Sequence, residues 1–447
     1  MADENHPTIA SPPQPPSEPP ISPPQTTTTP TLAEVIEQPE NTETPPQNMP
    51  FFKEESNQLK DLSPLQKKSL DDFKTLIQES LNHTQDFAFL QKQEEPISEI
   101  SIWGIPILKD ERSDVVLLKF LRARDFKVKE SFLMLKDTLQ WRQIFDIDNL
   151  VDNEEDFNDH DFLDKVVFMH GFDKQGHPVC YNVYSEFQNK DLYHKTFSDE
   201  EKRLLFLKWR IRFLEKSIRK LDFTPGGVNT IFQINDLKNS PGPAKTELRV
   251  ATRQAVQLLQ DNYPEFVVKQ IFINAPWWYL AFYAMISPFM TQRTKSKFVF
   301  ASTAKTPEIL FKYVSPEHVP IQYGGLSVDY CDCNPEFTID DPASVVTMKP
   351  ATKQTVEIIV NEKCLFVWEL RVVGWEVSYG AEYVPSDESH YTIIIQKPKK
   401  MSSTTDEPVT THSFKINELG KILLTIDNPT SKKKTLLYRF KVSPLPE

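Results

Sequence analysis

One stretch limits what this chain can fold into more than any other: Ile271 to Met290, IFINAPWWYLAFYAMISPFM, carries no charged side chain. The uncharged run extends from Gln270 to Gln292, long enough on length alone to cross a bilayer. Pro276 and Pro288 interrupt it, and a proline inside a straight helix breaks the hydrogen-bond ladder. A single spanning helix is therefore excluded. Ile271 to Ala275 read as a strand, and Trp277 to Ser287 as a separate helix after Pro276. Trp277, Trp278, Tyr279, Leu280, Phe282, Tyr283, Met285 and Ile286 cover nearly the whole circumference of that helix, where a surface helix keeps one polar side. Two environments fit: a wholly packed core, or a cavity on one face with a bilayer on the other. Trp and Tyr suit the second, because their rings are apolar with a polar tip.

The flanking sequence alternates strand and helix: VNTIFQIND, TELRVATRQAVQLLQ, KQIFINA, WWYLAFYAMIS, KFVFAS. Such spacing demands crossover connections and a largely parallel sheet covered by helices. KVVFMHGF and PVCYNVY precede it as a hairpin around Gly176. EEKRLLFLKWRIRFLEKSIRKL follows the hairpin as an amphipathic helix with Leu204, Leu207, Ile211, Leu214, Ile218 and Leu221 on one side. Its basic other side reads as a solvated face or as a membrane-docking one. This α/β domain is expected over 151–328.

Upstream, Ser63-Pro64 form an N-cap and N1 pair, and Leu65, Leu70, Phe73, Ile77 and Leu81 share a helical face. Two further helices, about 114–124 and 128–145, hinge near Asp125. Together they make a helical subdomain over 56–150. Downstream the helix signal disappears, and TVEIIV, LFVWELRVV, EVSYGAEYV, YTIIIQK, KILLTID and TLLYRFKV predict an all-β sandwich within 329–447.

Residues 1–55 are rich in Pro, Thr, Gln and Glu and nearly free of large apolar side chains, so they cannot offset their ordering entropy and are expected to be disordered. Their PPxP-like pieces read as a linker or as docking motifs for proline-binding modules. The net charge of −12 is uneven: nine acids against Lys53 and Lys60 leave −7 in the first sixty residues. The rest is close to balanced and leaves room for basic patches. Four cysteines without a CxxC spacing fit a reducing compartment. No secretory signal is legible, and a cytosolic protein is expected. Cys331 and Cys333 could hold a metal edge, but no second Cys/His pair stands near them, and no metal or cofactor is expected.

No GxSxG, HExxH, GxxxxGK[ST] or GxGxxG occurs, and 11 glycines give little material for phosphate-cradling loops. His170 and His177 lack an evident nucleophile and read as structural. No nucleic-acid-binding module is legible.

FLRARDF, the DKQGHP hairpin, INDLK, NYPE and INAPWWY…PFMTQRTKSKFVF resemble the CRAL-TRIO lipid-transfer family. WEVSYGAEYVP and ELGKILLTIDNPTSKKKTLLYRF resemble a GOLD domain. That order after an acidic Pro-rich tail is similar to the plant patellins. The resemblance implies an α/β domain enclosing an apolar pocket for one lipid, gated by the helix and loop after the third strand, where WWYLAFYAMISPFM falls. Withdrawing a two-chain phospholipid into water would expose about thirty methylenes at roughly 0.8 kcal/mol each, on the order of 25 kcal/mol. A carrier therefore needs an oily cavity that opens only against a membrane. Ile231, Phe232, Ile273, Phe298 and Phe300 are candidate lining, and Trp277, Trp278, Leu280, Phe282 and Phe289 candidate gate residues.

The resemblance further implies a phosphoinositol site at Arg124, Glu265, Thr294 and Lys297: Arg and Lys suit phosphate, Glu and Thr inositol hydroxyls. The basic residue that can follow the RAR motif is Asp125 here. Met169, Cys180, Ile231 and Gln233 stand where choline-lipid binders use hydroxyl residues, so an inositol lipid is the expected ligand. In the tail, Lys397, Lys399 and Lys400 are expected in one loop and Lys432, Lys433 and Lys434 in another, either as solvated turns or as a patch for anionic membrane at about 1 kcal/mol per cation.

The expected function is lipid binding and transfer or presentation at membranes, without covalent chemistry. The resemblance points to membrane traffic and cell-plate formation, with a peripheral-membrane location at the cell plate or plasma membrane. A scaffold that gathers protein partners through the GOLD-like domain and Pro-rich tail, with a passive pocket, is the first rival reading; an α/β enzyme acting on lipid is the second.

Overall fold

A computed structural model of the chain describes residues 54–82, 87–90, 99–152, 162–240, 245–276, 279, 295–328, 337–403 and 406–445. Residues 1–53 of the acidic tail, Cys331 and Cys333, and the gate residues Trp277, Trp278, Leu280, Phe282 and Phe289 lie outside them. Described structure begins at Glu54, earlier than the expected start at Ser63.

The helical subdomain contains α1 (Pro64–Asn82), α2 (Arg112–Ala123), α3 (Val128–Ile144) and α4 (Ile147–Asp152), with a small pair, β1 (Ser101–Ile102) and β2 (Ile105–Pro106). Ser63 accepts from the amide of Gln66 while Gln66 Oε1 accepts from the amide of Ser63, a capping box. Leu70, Phe73 and Ile77 are buried as their spacing requires, but Leu65 is 78% exposed because it lies in the first turn, before the helix meets its neighbours. The hinge between α2 and α3 is made by Asp125 and Phe126, both left-handed at φ +50° and +59°.

The α/β domain is built on a five-stranded sheet in the order β3 (Val167–Phe172), β4 (Pro178–Val183), β5 (Ile231–Asp236), β6 (Val267–Ile273), β7 (Phe298–Phe300). The hairpin partner β3 is antiparallel, and the other pairings are parallel. Among the described residues, helices α5 (Lys190–Phe197), α6 (Glu200–Ile218), α7 (Thr246–Asn262) and α8 (Thr306–Tyr313) also belong to it. Strand periodicity sends successive side chains to opposite faces. Val179, Tyr181, Phe232, Ile234, Ile271 and Ile273 pack with Leu310, Val314, Val319 and Tyr323 from α8 onward. Cys180 and Ile231 point the other way, toward Phe197, Trp209 and Ala251 of α5, α6 and α7.

On α6, Ile211 and Ile218 are buried, whereas Leu204 is 46% exposed. Its buried side also carries one acid between Ile211 and Ile218. Glu215 is wholly buried, accepts two hydrogen bonds from Arg142 of α3 at 2.5 and 3.0 Å, and a third from Tyr263 Oη at 2.7 Å. This satisfied buried pair fixes the subdomain to the sheet domain.

The C-terminal sandwich has two antiparallel sheets, β13 (Thr410–Ile416), β10 (Cys364–Val373), β15 (Lys434–Ser443), β8 (Ser344–Met348), and β12 (Ile393–Met401), β11 (Val377–Pro385), β14 (Gly420–Asn428), β9 (Thr352–Val360). Alternate residues such as Phe366, Trp368 and Leu370 of β10 and Ile422, Leu424 and Ile426 of β14 form the core between them. Arg439 Nε donates to Glu369 Oε1 at 2.6 Å with both side chains at most 3% exposed, and Arg439 also binds the Thr338 and Asp341 carbonyls. Replacing Glu369 by Ala leaves that guanidinium buried with its charge uncompensated, so thermal or denaturant unfolding of the sandwich should show a loss of about 3–5 kcal/mol.

Candidate functional site

The expected headgroup residues come from three separate segments, and the structure brings two of them into contact. Glu265 closes the turn between α7 and β6 in a left-handed conformation, φ +54°. Its Oε2 accepts from Lys297 Nζ, just before β7, at 2.8 Å, with both side chains less than one-fifth exposed. Lys297 Nζ also donates to the Val267 carbonyl at 3.1 Å. Arg124 does not join them: its guanidinium donates to the neighbouring Ala123 carbonyl at 3.1 Å, and it is absent from the pocket wall formed by the others. Thr294 lies outside the described residues.

Two cations that the motif comparison passed over complete the pocket. Lys119 is 1% exposed, donates to the carbonyls of Asn229 at 2.9 Å and Glu265 at 3.0 Å, and sits 4.4 Å above the Phe266 ring. Burial pulls its pKa down to about 7, against the attraction of Glu54 and Glu265. Arg122, the first arginine of FLRAR, replaces Arg124 in the wall, together with Asn229, Thr230, Val267 and Val268. The signal for Lys119 was present in the sequence, as a lone charge between Val115–Leu118 and Phe120–Leu121, all of them buried.

Glu54, Glu55 and Asn57 close the pocket. Glu54 bridges His177 Nε2 at 2.9 Å and Thr230 Oγ1 at 2.8 Å, while Asp173 holds His177 Nδ1 at 2.9 Å. The space left is about 20 Å³, room for about one water. A wider cleft of about 520 Å³, lined by Trp103, Arg112, Arg142, Asp148 and Arg219 among others, contains none of the expected site residues.

The expected lining divides between the two faces of the sheet. Phe232 and Ile273 pack with α8, because strand alternation turns them to the face opposite Ile231. Phe298 and Phe300 are half-buried on the face of Phe272, whose ring stacks on Phe300 at 5.1 Å and meets Phe298 edge-on at 5.6 Å. Tyr279 lies 5.5 Å from the same ring.

The basic groups of the sandwich also differ from expectation. Lys397, Lys399 and Lys400 lie on the edge strand β12, not in a loop. Lys432 and Lys433 are exposed in the turn before β15. Lys434 is 4% exposed and donates to the Gly374 carbonyl at 2.7 Å, so it is a core group and not a surface one. Lys400 pairs with Ser378, and Ser378 with Asp427 at the end of β14. Both clusters therefore occupy the same end of the sandwich, where Lys399 is paired with Asp406 at 2.5 Å.

Family models match all three ordered parts: a CRAL/TRIO N-terminal domain over 69–137, a CRAL/TRIO domain over 164–325, and a patellin-1-like C-terminal GOLD domain over 349–434. Over 400 residues the chain is 67% identical to Patellin-3 of Arabidopsis thaliana, covering 90% of this chain and 79% of that one. It belongs to the patellin family. Patellin-5 of the same plant is 64% identical over 90% of this chain and 57% of its own length. A phosphatidylinositol transfer protein SFH5 of Meyerozyma guilliermondii is 27% identical over 50% of this chain and 67% of its own. In this patellin no helix among the described residues is long and apolar enough to cross a membrane, and no His/Cys/Asp/Glu group there could hold a metal ion.

Burial lowers the His177 pKa, but Asp173 and Glu54 outweigh it and leave it at about 9, against an ordinary 6.5. A raised folded pKa adds stability that is full below the unfolded value and is lost as pH rises through the folded one. The melting temperature should therefore fall between pH 6.5 and about 9, and this component should vanish in His177→Gln.

Proposed function

We propose that this protein binds a phospholipid, most favourably an inositol lipid, and transfers or presents it at membranes. The observation that carries the reading is the pocket whose wall Lys119, Arg122 and Lys297 share with Glu265, Lys297 pairing with its carboxylate. Cations there suit a phosphate, and the carboxylate suits ring hydroxyls. The half-buried aromatic group of Phe272, Phe298, Phe300 and Tyr279 supplies apolar surface on one face of the same sheet. A relative that carries phosphatidylinositol in its name supports the choice of headgroup.

The sandwich would hold the protein peripherally on anionic membrane from the cytosol. Lys349 and Lys353 are exposed near Asn428 and Asp427 and so extend the same end as Lys400, Lys432 and Lys433. A place in membrane traffic, including cell-plate formation, follows as the cellular form of this proposal. Partners would be the lipid and the membrane surface, with proteins recruited through the GOLD domain.

Vesicle-to-vesicle transfer of phosphatidylinositol tests the reading. The double change Glu265→Ala with Lys297→Ala should lower it about tenfold or more, the scale of a charged hydrogen-bond pair, and the lipid should be recovered chemically intact. No transfer by the unaltered protein would favour a scaffold; an altered lipid would favour an enzyme. Separately, Lys400→Glu with Lys432→Glu and Lys433→Glu should weaken sedimentation with anionic vesicles by about 1 kcal/mol per lost cation, without changing transfer chemistry.

A further inference from the structure

The segment Glu54–Asn57 is the one part of the acidic N-terminal region that the structure describes, and it lies on the cationic pocket. Its contacts are many for four residues. Arg122 pairs with Glu55 at 2.9 Å, donates from Nη1 to Asn57 Oδ1 at 2.5 Å, and donates from Nη2 to the Ser56 carbonyl at 2.6 Å. Glu54 spans His177 and Thr230. The next residue, Gln58, lies against Gly226, where a Cβ would come within 2.6 Å of its side-chain nitrogen. Gly226 is also at φ +89°, so this close approach is open to glycine in a way that it is not to other residues.

The charges match as well as the shapes. Lys119, Arg122 and Lys297 line the pocket, Glu265 offsets one of them, and Glu54 and Glu55 supply two more negative charges, that of Glu54 shared with His177. The phosphodiester of an inositol phospholipid brings a single negative charge, and the monoester of inositol 1-phosphate about −1.5 to −2 at neutral pH. The two carboxylates therefore occupy the cationic site much as a phosphate would. A cavity of about 20 Å³ cannot admit an inositol phosphate while they stay. The walls contributed by α2, β6 and the turn at Glu265 are fixed by buried contacts, so the segment that enters from the surface is the part able to leave.

We infer that Glu54–Asn57 is an internal occupant of the headgroup pocket, a strap that a phosphate-bearing headgroup must displace in order to bind. The inference rests on the headgroup reading above and adds its regulation. Binding and strap attachment are then competing equilibria, and a ligand that prefers the strap-free form shifts the population by its difference in affinity.

The test uses the full chain, unaltered and as Glu54→Gln with Glu55→Gln, which keeps side-chain volume and removes both charges. Titration with inositol 1-phosphate should show the double variant binding about tenfold more tightly, within the usual range for coupled equilibria. In the unaltered protein, hydrogen exchange of the amides of residues 54–58 should speed up on adding the same probe. Acceleration by inorganic phosphate as well assigns the displacement to phosphate itself, while acceleration only by phosphatidylcholine vesicles containing phosphatidylinositol assigns it to a lipid-borne headgroup; either supports the strap. Equal or weaker binding by the variant, with exchange at 54–58 unmoved by ligand and Lys297→Ala still weakening binding, overturns the strap and leaves the headgroup site standing. No binding of any probe by either protein, with lipid transfer intact, removes both.

Discussion

A single buried ammonium holds the functional half of this molecule together. Lys119 stands within the buried apolar run Val115–Leu121 of α2, and its two carbonyl acceptors belong to separate turns of the sheet domain, before β5 and before β6. An unsatisfied charge there would cost several kcal/mol, so the helical subdomain and the two turns are mutually specified. The same bonds fix the Glu265 carbonyl, and with it the carboxylate that meets Lys297. Architecture and cationic pocket thus share one anchor.

Satisfied buried polar groups recur wherever two parts of the chain meet. Glu215 accepts from Arg142 and Tyr263 between α6 and α3. Arg439 ties the segment around Thr338 to β10. Arg371 donates to the Ile321 and Gly325 carbonyls at 2.7 and 2.6 Å, joining the sandwich to the end of the α/β domain. Apolar packing supplies most of the stabilisation but is non-directional. These polar contacts select one arrangement among many that would bury similar area.

Much of this was legible in the residues. The change from 3.6-residue to 2-residue periodicity separated the helical and α/β parts from the all-β one, and KQIFINA, ahead of Pro276, marked β6. What the sequence left open was orientation. Ile231 and Phe232 are equally apolar, and only the packing of α8 shows that Phe232 and Ile273 face it. The motif points to Arg124 in FLRAR, whereas it is Arg122 that lines the pocket with Lys119 and Lys297. Lys434 looked like its neighbours Lys432 and Lys433, yet strand pairing with Met348 draws it inside. Glu54 and Glu55 read as the end of a tail because their partners are dozens to more than a hundred residues distant.

The clasp at Arg371 has a corollary for substitution. Because its guanidinium grips backbone and not side chains, the side chain at position 321 is free to vary without loosening the grip, whereas position 325 is held to glycine by close packing, since a Cβ there would lie 2.0 Å from the Val319 carbonyl oxygen.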